Sequence, residues 1–152
     1  MTSLQTLDLS WNGLYTANVS LDEFLDTKQS GGDWSVTQTV PPANVSISNV
    51  NNESVILLWD VIEYTGNTGR YRAWCSTNRG GPYSDCGTTT DKSTSSLEVI
   101  GLSPSTRYYF VVRTETDSHI SNSNDLVSDP SAEVFVTTTF EGLIFRDGFE
   151  ER

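Results

Sequence analysis

The run Leu102-Ser-Pro104-Ser-Thr106-Arg-Tyr108-Tyr-Phe110-Val-Val112 places an apolar or small residue at every second position, and Val55-Ile-Leu57-Leu-Trp59 repeats the pattern further upstream. A period of two is that of a strand with one buried face. Between Pro41-Pro42 and Thr139, similar runs separated by Ser, Thr, Asn, Gly and Pro predict strands near 45–50, 53–60, 70–76, 83–87, 96–100, 106–116 and 132–138. This all-β texture predicts a seven-stranded antiparallel Greek-key β-sandwich.

Strand parity sorts the side chains into two faces. Val55, Leu57, Trp59, Tyr71, Ala73, Tyr108, Phe110, Val112, Val134 and Val136 fall on inward faces, and a one-residue slip would expose them all. Trp74, Tyr109, Val111 and Phe135 then share an outward face bordered by Arg72 and Arg113. Aromatic groups with an arginine rim have the composition of a contact surface. Arginine stems covering scattered exposed apolar residues would look the same, so both readings stay open.

Pro41-Pro42, Val55-Ile-Leu57-Leu-Trp59, Tyr71, the run from Leu102 to Val112 and the closing Ala132-Glu-Val134-Phe-Val136-Thr-Thr-Thr139 together resemble a fibronectin type III domain over residues 41–139. The resemblance implies an immunoglobulin-like sandwich. It also implies that Tyr108 is a tyrosine corner, its hydroxyl bonded to upstream backbone. Residues 4–14, Leu4-x-x-Leu7-x-Leu9-x-x-Asn12-x-Leu14, are similar to one leucine-rich repeat. A lone repeat cannot bury its apolar face, so the expectation is the C-terminal end of a longer array.

Ser20 and Glu23 stand at capping-box spacing ahead of Phe24 and Leu25, predicting a short capping helix from near Leu21 that Gly31-Gly32 stops. Trp34 is expected to pack back on this cap. The chain divides into a partial repeat and cap (1–34), a linker (35–40), the fibronectin-like domain (41–139) and a tail (140–152). Within the tail, Ile144-Phe145-Arg146-Asp147-Gly148-Phe149-Glu150 is similar to a short ending found on many secreted bacterial proteins. Its Arg-Asp-Gly is not the Arg-Gly-Asp order of integrin ligands.

Charge narrows the partners. The 152 residues carry a formal charge of −11, spread along the chain without a basic patch. That excludes nucleic acid and anionic lipid as expected partners, because phosphate contacts need clustered Lys and Arg. No apolar stretch approaches the roughly 20 residues that span a bilayer. No signal peptide is visible at the N-terminus, which begins inside the repeat-like motif; the expectation is a fragment of a secreted or cell-surface protein.

Cys75 and Cys86 flank a loop rich in Gly, Ser and Asn. A disulfide here suits an oxidising compartment, and separate thiols a reducing one. Zinc would need four ligands, and the single histidine, His119, stands in a Ser/Asn-rich loop where solvation is the simpler expectation. No nucleophile elbow, metal-binding histidine pair or phosphate loop is present in the sequence. Asp22 and Glu23 are explained by favourable charge at a helix N-terminus.

The expectation is therefore a non-enzymatic chain without cofactor or metal. Its role would be that of a protein-interaction, adhesion or spacer module with a protein or polysaccharide ligand, monomeric within a longer chain. The alternative is an accessory module of a bacterial secreted polysaccharide-degrading enzyme, since fibronectin-like domains commonly accompany such enzymes.

Overall fold

The computed structural model describes residues 5–16 and 18–140. Two antiparallel sheets enclose one core. The smaller sheet orders β1 (Ala43–Ser48), β2 (Ser54–Asp60) and β5 (Ser96–Ile100) side by side. The larger orders β4 (Ser84–Thr88), β3 (Gly69–Ser76) and β6 (Arg107–Thr116), with β7 (Leu126–Val127) and β8 (Val134–Thr137) sharing the far side of β6.

Alternation builds the core. Val55 and Leu57 of β2, Tyr71 and Ala73 of β3, Val99 of β5, and Phe110 and Val112 of β6 are all fully buried. Trp59 tilts against Tyr71 with ring centroids 5.1 Å apart, and Tyr108, Val134 and Val136 pack at the core's margin. The Tyr71 hydroxyl accepts from the Ile62 N–H at 2.9 Å, so the ring sits deep without an orphaned polar atom. Gly69 opens β3 because a Cβ there would lie 2.2 Å from the Glu115 carbonyl oxygen. Any other residue would push the two strands apart.

The Tyr108 hydroxyl accepts from the Ser103 N–H at 3.0 Å, as a tyrosine corner should. Cys75 and Cys86 form a disulfide between the neighbouring strands β3 and β4, with Cα atoms 5.8 Å apart. This cross-link fastens the edge strand β4, whose own residues are at most half-buried.

The last expected strand is present as β8, and an unexpected two-residue strand, β7, precedes it along the same side of β6. Pro130 cannot donate to the ladder, and the chain bulges through Ser128-Asp129-Pro130-Ser131. The ladder nevertheless closes, because buried Ser128 and Ser131 replace carbonyls with hydroxyls. Thr114 N–H donates to Ser128 Oγ and Val112 N–H to Ser131 Oγ, both at 3.0 Å. In return Ser128 N–H and Ser131 N–H reach the Thr114 and Val112 carbonyls, both at 2.9 Å.

The N-terminal residues depart from expectation in two respects. Helix α1 (Val19–Asp26) is capped by Asn18, whose side chain accepts from the Leu21 N–H at 3.1 Å, and not by Ser20, which lies inside the helix. The apolar residues of α1 do not seal a core: Val19, Leu21 and Phe24 are exposed and only Leu25 is half-buried. Trp34 does pack back, 2% exposed, with its Nε1–H donating to Asp26 at 2.8 Å.

Leu7 and Gln29 form a parallel bridge, and the Asn12 amide donates to the Leu9 and Ser10 carbonyls at 3.0 Å each. Leu4, the first position of the repeat-like pattern, lies outside the described residues. Residues 35–40 are tied down: Gln38 and Thr39 are buried, and the Thr39 and Thr116 hydroxyls meet at 2.7 Å. Asn122 donates to the Trp11 carbonyl at 2.7 Å from the loop after β6.

Candidate functional site

The outer face of the five-stranded sheet brings the predicted patch together. Register sets Arg72 opposite Arg113, Trp74 opposite Val111 and Tyr109 opposite Phe135. Phe135 is 62% exposed on the short strand β8, stacks at 5.8 Å on Tyr109 and lies 5.7 Å below the Arg107 guanidinium. Beside them Trp74, Tyr83, Val111, Arg113, Val127 and Pro130, with the Arg72-bound Glu115, line a groove of about 420 Å³.

Two predicted members behave differently from expectation. Val111 is 6% exposed, because the walls of the groove cover a side chain that parity alone places outward. Arg72 is not a free rim cation: its guanidinium grips both Glu115 oxygens, with Nε to Oε1 at 2.6 Å, and also pairs with Asp85. These partners raise its pKa further, so it is permanently charged and permanently engaged. Arg70 bonds Asp117 and lies 3.6 Å from Glu115.

Arg113 is different. It donates to the Ser128 carbonyl at 3.2 Å and has no carboxylate partner among the described residues. The same holds for Arg107, whose guanidinium lies over the Phe135 ring. These two arginines of the face both come from β6, one at each end of the aromatic patch.

The groove walls are built, not incidental. Glu133 accepts from the Gly80 N–H at 2.8 Å and from the Tyr83 hydroxyl, and lies 3.7 Å from Arg79, so it pins Tyr83 against the sheet. Burial, then the hydrogen bond to Glu133, pushes the Tyr83 phenol up to about 12, and Tyr83 lowers the pKa of Glu133 in turn. The Trp74 Nε1–H is buried with no acceptor among the described residues. Such an orphan costs about 1–3 kcal/mol, so stability alone does not explain an indole at this position.

Sequence reasoning missed Tyr83, Arg107, Val127 and Pro130. Arg107 was reachable, since it shares parity with Tyr109 on β6; the other three depend on how a loop and the short strand β7 fold over the sheet.

The opposite end holds a second set of polar groups. Lys92 is 2% exposed, its Nζ 3.1 Å from Thr116 Oγ1 and 3.9 Å above the Tyr64 ring. Burial lowers its pKa to about 8, against the attraction of Asp117. His119 is half-buried, not fully solvated, with Nε2 3.1 Å from the Tyr64 hydroxyl. No group of three or more His, Cys, Asp or Glu suited to a metal ion occurs among the described residues, and none of their helices is long and apolar enough to cross a membrane.

A sandwich with this order of strands, a tyrosine corner and a core of alternating residues is the fibronectin type III fold. The family model for the fibronectin type III domain matches residues 40–127, and the chain belongs to that family. The match ends with β7. No curated protein matches the chain.

Solved structures show the same fold. A structure described as a myokine is 19% identical with a TM-score of 0.52, covering 67% of this chain and 99% of that one. The Fn3-like protein from Clostridium thermocellum is 22% identical with a TM-score of 0.50, covering 69% and 96%. The twitchin kinase region from C. elegans is 22% identical with a TM-score of 0.54, covering 72% of this chain and 18% of that one. Family and fold fit a non-catalytic module of the kind built into multidomain proteins.

Proposed function

We propose that this chain is a protein-interaction module of a secreted or cell-surface protein, and that it binds through the outer face of its five-stranded sheet. The carrying observation is the stack of exposed Phe135 on Tyr109 beside a groove floored by Trp74 and Val111. Aromatic and arginine side chains around a concave apolar patch are what protein contacts favour. The Cys75–Cys86 disulfide supports an oxidising compartment. The exposed apolar side of α1 suits a preceding repeat packed against it, in keeping with the repeat-like spacing of Leu7, Leu9 and Asn12.

Selection from a displayed peptide library against the wild-type chain, counter-selected on Phe135→Asp, tests the reading. Peptides that bind wild type and lose the variant support it; peptides retained equally by both place binding elsewhere. A service role beside a polysaccharide-degrading enzyme would instead show as retention on insoluble polysaccharide that Phe135→Asp leaves unchanged.

A further inference from the structure

Charge along β6 specifies the occupant of this face more closely. On a chain of net charge −11 the carboxylates of the face are already engaged: Glu115 and Asp85 by Arg72, Asp117 by Arg70, and Glu133 by Tyr83, Gly80 and Arg79. Of the cations on this face, Arg107 and Arg113 have no carboxylate partner among the described residues. They stand six residues apart on one strand, which separates their Cα atoms by about 20 Å. Between them on the same face lie Tyr109, with Phe135 stacked on it, and Val111, which pairs with Trp74.

We infer that the face takes an extended peptide segment of a partner protein with acidic side chains at its first and seventh positions and apolar side chains at its third and fifth. An extended peptide has the same rise per residue as β6, so its two carboxylates would reach both guanidiniums while its alternate apolar groups cover Phe135 and enter the groove. Arginine suits this task because its planar fork can hold a carboxylate through two N–H donors. The rest of the acidic surface repels such a segment, which confines it to this face. The inference rests on the reading of the face as the binding surface.

The test uses a fluorescent heptapeptide, Asp-Thr-Leu-Thr-Phe-Thr-Asp with blocked ends, and a twin carrying Lys in place of both Asp, titrated with the full chain by anisotropy. The acidic peptide should bind about tenfold or more tightly than its twin, and added salt should narrow the difference. Arg107→Gln and Arg113→Gln should each weaken the acidic peptide without changing the melting temperature. Equal binding of the two peptides, lost in Phe135→Ala, would overturn the acidic specificity and leave the binding face standing. Binding of the acidic peptide that Phe135→Ala and both arginine variants leave unchanged would overturn both.

No binding of either peptide, with Phe135-dependent peptides recovered from the library, would overturn the inference alone. Residues Glu141, Leu143, Phe145 and Asp147 of the chain carry the same spacing. If Glu141→Gln with Asp147→Asn tightens the acidic peptide about tenfold, this segment is the occupant and the partner assignment falls.

Discussion

The two faces of strand β6 have nearly the same apolar content and opposite fates. Inward, Tyr108, Phe110 and Val112 are locked by a tyrosine corner, a full core and a mended hydrogen-bond ladder. Outward, Tyr109 and Val111 meet an exposed phenylalanine and an open groove. The outer face of the smaller sheet sharpens the contrast, for its exposed Leu58 pairs with Ser96 and Ser46, and its exposed Ile100 with Ser54. Scattered apolar residues among serines are ordinary surface. Aromatic groups gathered beside arginines have the composition of a contact surface.

That contrast can be broken from the inside first. Phe110→Ala empties a fully buried site and should cost about 3–5 kcal/mol in denaturant unfolding. A cost near that of an exposed substitution would move Phe110 out of the core. Ser131→Ala removes the acceptor that satisfies the buried Val112 N–H and should cost about 1–3 kcal/mol. If the variant were neutral, the serine would not be mending the ladder. Tyr108→Phe keeps the ring and leaves the exposed Ser103 N–H to water, with an expected loss of about 0.5–1.5 kcal/mol.

The end of the sandwich offers a smaller, pH-dependent effect. Burial holds the folded-state pKa of Lys92 at about 8 against an ordinary 10.5. Between those values the unfolded chain binds more protons, so stability should rise with pH across the window. The raised phenols of Tyr83, Tyr64 and Tyr71 oppose this only above about 10. Lys92→Met should flatten the slope between pH 8 and 10, and an unchanged slope would mean that the amine is hydrated in the fold. The smallest effect belongs outside: Phe135→Ala should change stability by less than about 0.5 kcal/mol while removing the exposed half of the patch.

Alternation made the sandwich legible, because a period of two leaves the same signature wherever one face is buried. β2, β3, β5 and β6 lie within a residue of their expected limits for this reason. Strand β8 was legible by the same alternation, but β7 was not: Leu126–Val127 is too short to show a period, and hydroxyls standing in for carbonyls leave no pattern at all. The helix cap shifted from Ser20 to Asn18 because both residues can cap, and local sequence does not choose between them. Parity placed Trp74, Tyr109, Val111 and Phe135 on the outer face, where they lie, but could not show the burial of Val111 or the ion pairs of Arg72, since those depend on neighbouring strands and loops.

The most direct measurement is amide chemical-shift mapping of the full chain titrated with the acidic heptapeptide. The expected shifts fall on β3, β6 and β8, centred on Trp74, Tyr109, Val111 and Phe135 and bounded by Arg107 and Arg113. Shifts confined to the smaller sheet, to α1 or to the loops around His119 would contradict a binding face on the five-stranded sheet.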